Sequence, residues 1–342
     1  MADVAREAGV SKTAVSFAFN APDRLAPDTA ERIRGVAQQL GYTPHPVARM
    51  LTQRRTRAIG VLTPRALSVV FGDPFFATFS GGVARVAEQH GYALHFISPI
   101  DGSLSGAMTR ATVDGVIAVG LAESHPEIDD IRHAGLPLVV VDSTALPDHA
   151  AVVIDEVAAA REAGAHLAGL GHRDVLVLAV EPPAPGMAHP DGVTARRLRG
   201  YRAAFEEVGV RIDDDHVILE PASIAGGAAA IRKAWQTGLR PTAILAMSDA
   251  LAIGAMSALR QLGHDIPADV SIVGFDDLDV AVTVDPPLTT VHQPVEEKGE
   301  QAASVLIAAI ERPSAARPEQ RWLDTWLVVR GSTGPGPRRG AP

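Results

Sequence analysis

From residue 58 onward the chain alternates short, nearly unbroken apolar runs with amphipathic helices, and this feature limits its fold more than any other. Residues 58–63, 92–97, 115–119 and 138–141 lack the in-out alternation of a half-exposed strand, so each is expected to be covered on both faces. Between them, residues 82–90, stopped by Gly91, and 126–134 read as helices. Strands of this kind separated by helices specify a parallel α/β sheet. The series then restarts, with a strand in 171–179, a helix over 198–208 stopped by Gly209, and strands at 243–246 and 271–275. A repeat at an offset of about 115 residues predicts two similar lobes rather than one large sheet.

The first twenty residues follow a different grammar. Val4, Ala5 and Ala8 fall three and four apart, Gly9 breaks the helix, and Ser11 can cap a second helix that turns Ala14, Val15 and Ala18 inward. Two short helices across a glycine-containing turn make a helix-turn-helix. Residues 28–40 read as a third helix, capped by Asp28, whose Ala30, Ile33, Val36, Ala37 and Leu40 close over the first two.

Charge separates these regions. The net charge of -9 over 342 residues is uneven: residues 1–57 hold nine Lys and Arg against five Asp and Glu, giving +4, and the remaining 22 against 35 give -13. A basic head on an acidic body places a phosphate-binding surface at the N-terminus, although Arg54, Arg55 and Arg57 equally suit a solvated linker. Zero cysteines exclude disulfides, thiolate catalysis and Cys-ligated metal. No segment approaches the roughly twenty apolar residues of a membrane span, and no signal peptide is evident, so a cytoplasmic protein with no membrane partner is expected.

The stretch from Asp3 to Ser16, followed by Leu40-Gly41-Tyr42-Thr43-Pro44, resembles the N-terminus of the LacI/GalR family of bacterial transcription regulators. Further matches run through Leu170 to Arg173, Arg197 to Tyr201, Met247 to Asp249, Val273 to Asp277, Pro287 to Val291 with Gln293-Pro294, and Arg330 to Thr333. The resemblance implies a three-helix DNA-binding head (1–43), a hinge helix (44–56) and a periplasmic-binding-protein-like body (57–333), and the Gly, Pro and Arg content of 334–342 predicts a disordered tail. In the body it implies lobe one at about 57–157 and 288–319, and lobe two at about 158–287 and 320–333, the chain crossing three times. It further implies a homodimer on a pseudo-palindromic double-stranded operator; a tetramer stays open, though no leucine heptad follows Val329.

Carried onto this chain, the resemblance puts the base readers at Lys12, Thr13 and Phe17, with Ser11 and Ser16 on phosphates. Phe17 stands where a polar group is common; a phenyl ring makes only apolar contact, for example with a thymine methyl. In the hinge, Leu51 would wedge into the minor groove beside Ala48 and Arg49, or else pack on the body.

Parallel sheets bind ligands beyond the carboxyl ends of their strands, so residues just after strands are the candidates for a small effector, a sugar or related metabolite. In lobe one these are Asp73-Pro74-Phe75-Phe76, with Phe76 either core or cleft wall. In lobe two they are Arg197, Ser248, Phe275 and Asp276, an Arg and an Asp being able to fix a polyol by charge-assisted hydrogen bonds. Asp249 reads as the cap of a helix over 250–262. Ser248 and Ile224 replace bulkier groups of the family's pattern, leaving a less aromatic pocket. Catalysis has little support: no phosphate loop, dinucleotide fingerprint or nucleophile elbow occurs, and the twelve His make no metal-ligand pair at helical spacing, so neither cofactor nor metal is expected. A sugar-binding protein without gene control is the alternative reading, and a sugar kinase is disfavoured by the missing phosphate loop.

Overall fold

The computed structural model describes residues 1–42, 55–100, 103–121, 126–143, 150–182, 189–312 and 318–337. The chain divides into two units, Met1–Arg57 and Ala58–Pro342.

In the first unit, helices α1 (Ala2–Glu7), α2 (Lys12–Asn20) and α3 (Pro27–Gln39) surround a core of Val4, Ala5, Ala8, Val15, Ala18, Ile33 and Ala37. Gly9, at φ +61, makes the left-handed turn that frees α2 from α1, and Ser11 Oγ accepts from the Ala14 N–H at 3.1 Å as its cap. Arg32 donates to the Ala8 carbonyl at 2.6 Å and Arg34 to that of Ala18 at 3.2 Å, fastening α3 to the ends of both shorter helices. Two expectations change. Asp28 does not cap α3: the helix starts at Pro27, whose missing N–H costs nothing in a first turn, and Asp28 is exposed inside that turn. Leu40 is 48% exposed rather than inward, because the helix stops at Gln39 and Gly41 turns the chain so that Tyr42 meets Phe19 edge-on.

The second unit carries strands β1 (Ala58–Leu62), β2 (Ala93–Ile97), β3 (Val116–Val119), β4 (Leu138–Val141), β5 (Ala150–Val153), β6 (Val175–Val180), β7 (Val217–Glu220), β8 (Ala243–Ala246), β9 (Ser271–Asp276), β10 (Thr289–His292), β11 (Gln320–Trp322) and β12 (Trp326–Val328). Its helices are α4 (Leu67–Val70), α5 (Pro74–Gln89), α6 (Leu104–Arg110), α7 (Pro126–His133), α8 (Glu156–Gly169), α9 (Val193–Glu206), α10 (Ile224–Gln236), α11 (Asp249–Gln261), α12 (Val280–Thr283) and α13 (Val295–Glu311).

The strands form two six-stranded sheets, ordered β11-β5-β4-β3-β1-β2 and β12-β10-β9-β8-β6-β7; pairing is parallel except for antiparallel β12 on β10. The first five strands of each half follow the same order, which is the repeat visible in the sequence. Ile59 and Val61 join one apolar cluster and Ala58 and Leu62 another, so β1 is covered on both faces, as its unbroken apolar run demands.

The lobe boundaries move. Residues 289–292 pair with β9 and complete the five-strand order of lobe two, so the second crossing lies at Gln293-Pro294 and not near 287. The third lies at 323–325, after β11 has paired with β5 of lobe one, and Leu323 packs against the cores of both lobes. The expected 82–90 helix begins eight residues earlier, at Pro74, with Asp73 as its cap. Gly82 is no helix start: a Cβ there would lie 2.1 Å from the Glu296 carbonyl, so its bare backbone lets α5 and α13 touch. Residues 334–337 are not a loose tail, since Gly334 N–H donates to Ser271 Oγ at 3.0 Å and Gly336 N–H to the Leu170 carbonyl at 2.8 Å; residues 338–342 lie outside the described ones.

Candidate functional site

Two surfaces carry the candidate residues. On the first unit, α2 turns Val15 and Ala18 into the core and leaves Ser11, Lys12 and Thr13 exposed at its N-terminal end, with Ser16 and Phe17 half-buried. Ser11 keeps its hydroxyl hydrogen for an external acceptor while capping the helix. Ser16 Oγ accepts from Asn20 Nδ2 at 3.3 Å. Phe17 is not a bare apolar contact: the Arg24 guanidinium lies over its ring, 5.4 Å from the centroid, and adds a cation that sequence reasoning missed. Ala48, Arg49 and Leu51 lie outside the described residues.

On the second unit, the carboxyl ends of both sheets face each other and a buried polar network joins them. Arg197 of α9 is 5% exposed; Nε donates to Glu156 Oε2 and Nη1 to the Met247 carbonyl, each at 2.6 Å. Its guanidinium lies flat on the Phe275 ring, 3.5 Å from the centroid. Burial pulls the Arg197 pKa down, but the Glu156 and Asp276 carboxylates outweigh it and hold the group charged.

Asp276, at the end of β9, is 3% exposed and sits at φ 119, a conformation that L residues rarely adopt. Gln293 Nε2 donates to its Oδ1 at 2.5 Å. Burial raises its pKa well above the carboxylate range, with repulsion from Asp249 and Asp73 adding to burial and Arg197 opposing it. Next to it Asp277, at φ 57, accepts from Arg330 Nη2 at 2.5 Å and contacts His292 Nδ1 at 2.9 Å, anchoring the strained turn.

From lobe one, Asp73 caps α5 by accepting from the Phe75 N–H at 3.1 Å. Burial pushes its pKa up to about 6, against the Phe75 N–H and the charges of Arg65 and Arg197. Lys298 on α13 is fully buried; its ammonium donates to Asp142 Oδ1 and Gln293 Oε1, each at 2.5 Å, and lies 5.7 Å from the Phe75 ring centroid. Two arginines cross between the lobes: Arg65 Nη2 donates to the Glu181 carbonyl at 2.7 Å and Arg196 Nη2 to the Asp142 carbonyl at 3.0 Å.

Asp73, Phe75, Arg197 and Asp276 are thus brought together, and three expected residues do other work. Phe76 is 7% exposed within the lobe-one core. Phe275 is wholly buried and serves as the platform under Arg197. Ser248 caps α11, its Oγ accepting from the Leu251 N–H at 3.2 Å, which leaves Asp249 free of capping. The Asp249 carboxylate instead accepts from Thr290 Oγ1 at 2.6 Å and the Leu278 N–H at 2.9 Å, and burial raises its pKa to about 7. Asp142, Glu156, Gln293 and Lys298 were missed. Asp142 and Gln293 follow strands, so the strand-end rule applied throughout finds them; Lys298 betrays itself as a charge on the inward Val295, Ala302, Leu306 face of α13. Among the described residues no cluster of His, Cys, Asp and Glu is placed to hold a metal, and no helix is long and apolar enough to cross a membrane.

Comparison with known proteins agrees with this division. Residues 1–45 match the profile of bacterial regulatory proteins of the lacI family, and 165–333 that of the periplasmic binding protein-like domain. An HTH-type transcriptional regulator of Mycobacterium tuberculosis is 35% identical over 98% of this chain and 97% of its own. CelR of Thermobifida fusca is 30% identical over 96% of each chain. A solved CelR–cellobiose complex superposes with a TM-score of 0.70 at 29% identity, covering 96% of this chain and 98% of its own. The lac repressor dimer bound to operator and the anti-inducer ONPF shares the fold, with a TM-score of 0.78 at 23% identity over 97% of this chain and 98% of its own.

Proposed function

We propose a mechanism from one premise: this chain belongs to the lacI family of bacterial regulatory proteins and is a DNA-binding transcription regulator, not an enzyme. It acts in the cytoplasm as a homodimeric repressor. Two copies present α2 to major grooves of a pseudo-palindromic operator, half-sites about one helical turn or a multiple apart. Lys12 and Thr13 reach base edges, Ser11 and Ser16 hold phosphates, and Phe17 meets a thymine methyl with Arg24 over its ring supplying charge. Ala48, Arg49 and Leu51 enter the minor groove as the hinge contact.

The effector is a sugar or related metabolite held between the lobes by Asp73, Phe75, Arg197 and Asp276. One observation carries this reading: an arginine and two carboxylates, one from each lobe, meet at facing strand ends, in a fold that CelR uses with cellobiose bound. Effector contacts change how the lobes meet at Gln293-Pro294 and 323–325. β1 starts at Ala58, directly after the first unit, so the movement is delivered to the residues that lead to the DNA-binding helices.

The test is selection of duplexes from a random pool by the full chain, followed by anisotropy titration on the selected site with and without cellobiose and ribose. An inverted pair of half-sites, an affinity that falls steeply with salt and a Kd moved by a sugar are expected. An unsymmetrical single site or a flat salt response overturns the DNA-binding scheme, and a Kd that no sugar moves overturns the sugar assignment.

A further inference from the structure

We infer that the cleft selects its effector by charge, accepting uncharged or cationic molecules rich in hydrogen-bond donors, such as neutral or amino sugars, and rejecting acids and phosphoesters, with Asp73 as the specificity-determining residue. This rests on the reading of the cleft as the effector site.

The charges of the cleft are unequally matched. Lys298 is engaged by Asp142 and Gln293, and Arg197 by Glu156, the Met247 carbonyl and the Phe275 ring. Arg65 donates to the Glu181 carbonyl and stands between the Asp73 and Glu181 carboxylates, so an anion that approaches it meets two like charges. Asp73 from lobe one feels the Arg65 and Arg197 guanidinium groups, whereas Asp276 from lobe two feels Arg197, which Glu156 already holds. Among the described residues neither has a cation hydrogen-bonded to it: Asp73 accepts from the Phe75 N–H, and Asp276 from the Gln293 side chain and, through its carbonyl, the Gln293 N–H. Asp249, on α11, repels Asp276 from the remaining side.

Each carboxylate therefore keeps acceptor capacity and is held by neutral donors rather than by a cation in direct contact. Just beyond β4, Ser143 is 5% exposed and its buried hydroxyl, next to Asp142, has no hydrogen-bond partner among the described residues. Hydroxyl and ammonium donors satisfy such acceptors, whereas a phosphate or carboxylate adds a further negative charge where burial already resists the two present. The raised pKa values of Asp73 and Asp276 are the mark of that resistance. Asp73 matters most because it brings its charge to Asp276 from the opposite lobe, so every approach of the lobes works against it.

The experiment uses the full chain and two arms. In the first, calorimetric titration compares cellobiose, ribose and glucosamine with ribose 5-phosphate, glucose 6-phosphate and gluconate. Any neutral or amino probe that binds is expected to exceed its acidic or phosphorylated counterpart by about tenfold or more, and Asp73→Asn to narrow the gap. A phosphorylated or acidic probe that binds as well as its parent overturns the inference. The second arm needs no ligand. Asp73→Asn and Asp276→Asn retain the cap and the Gln293 bond, and each is expected to raise the unliganded Tm at about pH 8, Asp73→Asn by roughly 3–6 °C with the gain shrinking as pH falls from about 7 to about 4. A residue with a merely structural role gives no such pH profile, and an unchanged or lowered Tm in both variants overturns the inference. Neutral-sugar binding with this preference but no effect on operator affinity supports the charge selection and sinks only the regulatory reading.

Discussion

Lys298→Met tests the buried network most directly. Lys298 has no solvent exposure, its ammonium is the donor to both Asp142 Oδ1 and Gln293 Oε1, and Asp142 is 8% exposed. Methionine fills much of the same volume, so little packing is lost. What disappears is the countercharge of a buried carboxylate and the donor of a buried amide oxygen. Removing one partner of such a pair costs about 3–5 kcal/mol, and at this burial solvent screening gives no relief. At roughly 2–4 °C per kcal/mol for a domain of a few hundred residues, Tm falls by about 6–20 °C. Asp142→Asn removes the matching charge while keeping the left-handed backbone at φ 55, which asparagine tolerates. The double variant then regains at least about 2 kcal/mol over the sum of the singles, because neither buried charge remains. Urea and thermal unfolding of the four proteins by circular dichroism measures all three quantities. A loss under about 1 kcal/mol for Lys298→Met, or simple additivity, refutes the reasoning.

Three more expectations are open to direct measurement. Gly82→Ala puts a methyl 2.1 Å from the Glu296 carbonyl, so α5 and α13 must part; a cost of about 1–3 kcal/mol follows, and an unchanged Tm contradicts the close approach. Lys12→Ala flattens the slope of log K against log salt by about 1 if Lys12 meets a phosphate, and relaxes sequence preference at an unchanged slope if it reads a base. Asp249 and Asp73 are held at about 7 and about 6, above their unfolded values near 3.9, so the folded chain keeps protons that the unfolded chain has lost. Stability therefore falls as pH rises from about 4 to about 7, and the unliganded chain melts higher near pH 5 than near pH 8; the opposite profile excludes these carboxyls as the controlling groups.

Much of this was legible in the residues because local chemistry and fold agreed. The unbroken apolar runs mark strands covered on both faces, Ser11 is where a cap belongs, and Arg197 and Asp276 stand where strand ends meet. The sequence misled where tertiary contact overrides a local sign. Gly82 looks like a helix boundary and instead lies bare against α13. Thr289 to His292, expected in lobe one beyond two prolines, are instead taken by the edge of β9 as a strand of lobe two. Ser248, Phe275 and Phe76 lie beside the cleft in sequence but face a helix end, a guanidinium and a lobe core. The partner of Lys298 and the role of Arg24 were hidden because an ion pair with Asp142, 156 residues away, and the placing of a guanidinium over Phe17 depend on packing that no spacing rule reports.

Both sensor lobes are assembled from pieces far apart along the chain: lobe one waits for α13 and β11, and lobe two for β12 at 326–328. Among the described residues, the core of α1, α2 and α3 draws only on residues 4–42. On the ribosome, the DNA-binding helices can thus finish folding while either lobe is still short of a strand. A polypeptide released before residue 295 carries the part that meets the operator and lacks the part that hears the metabolite.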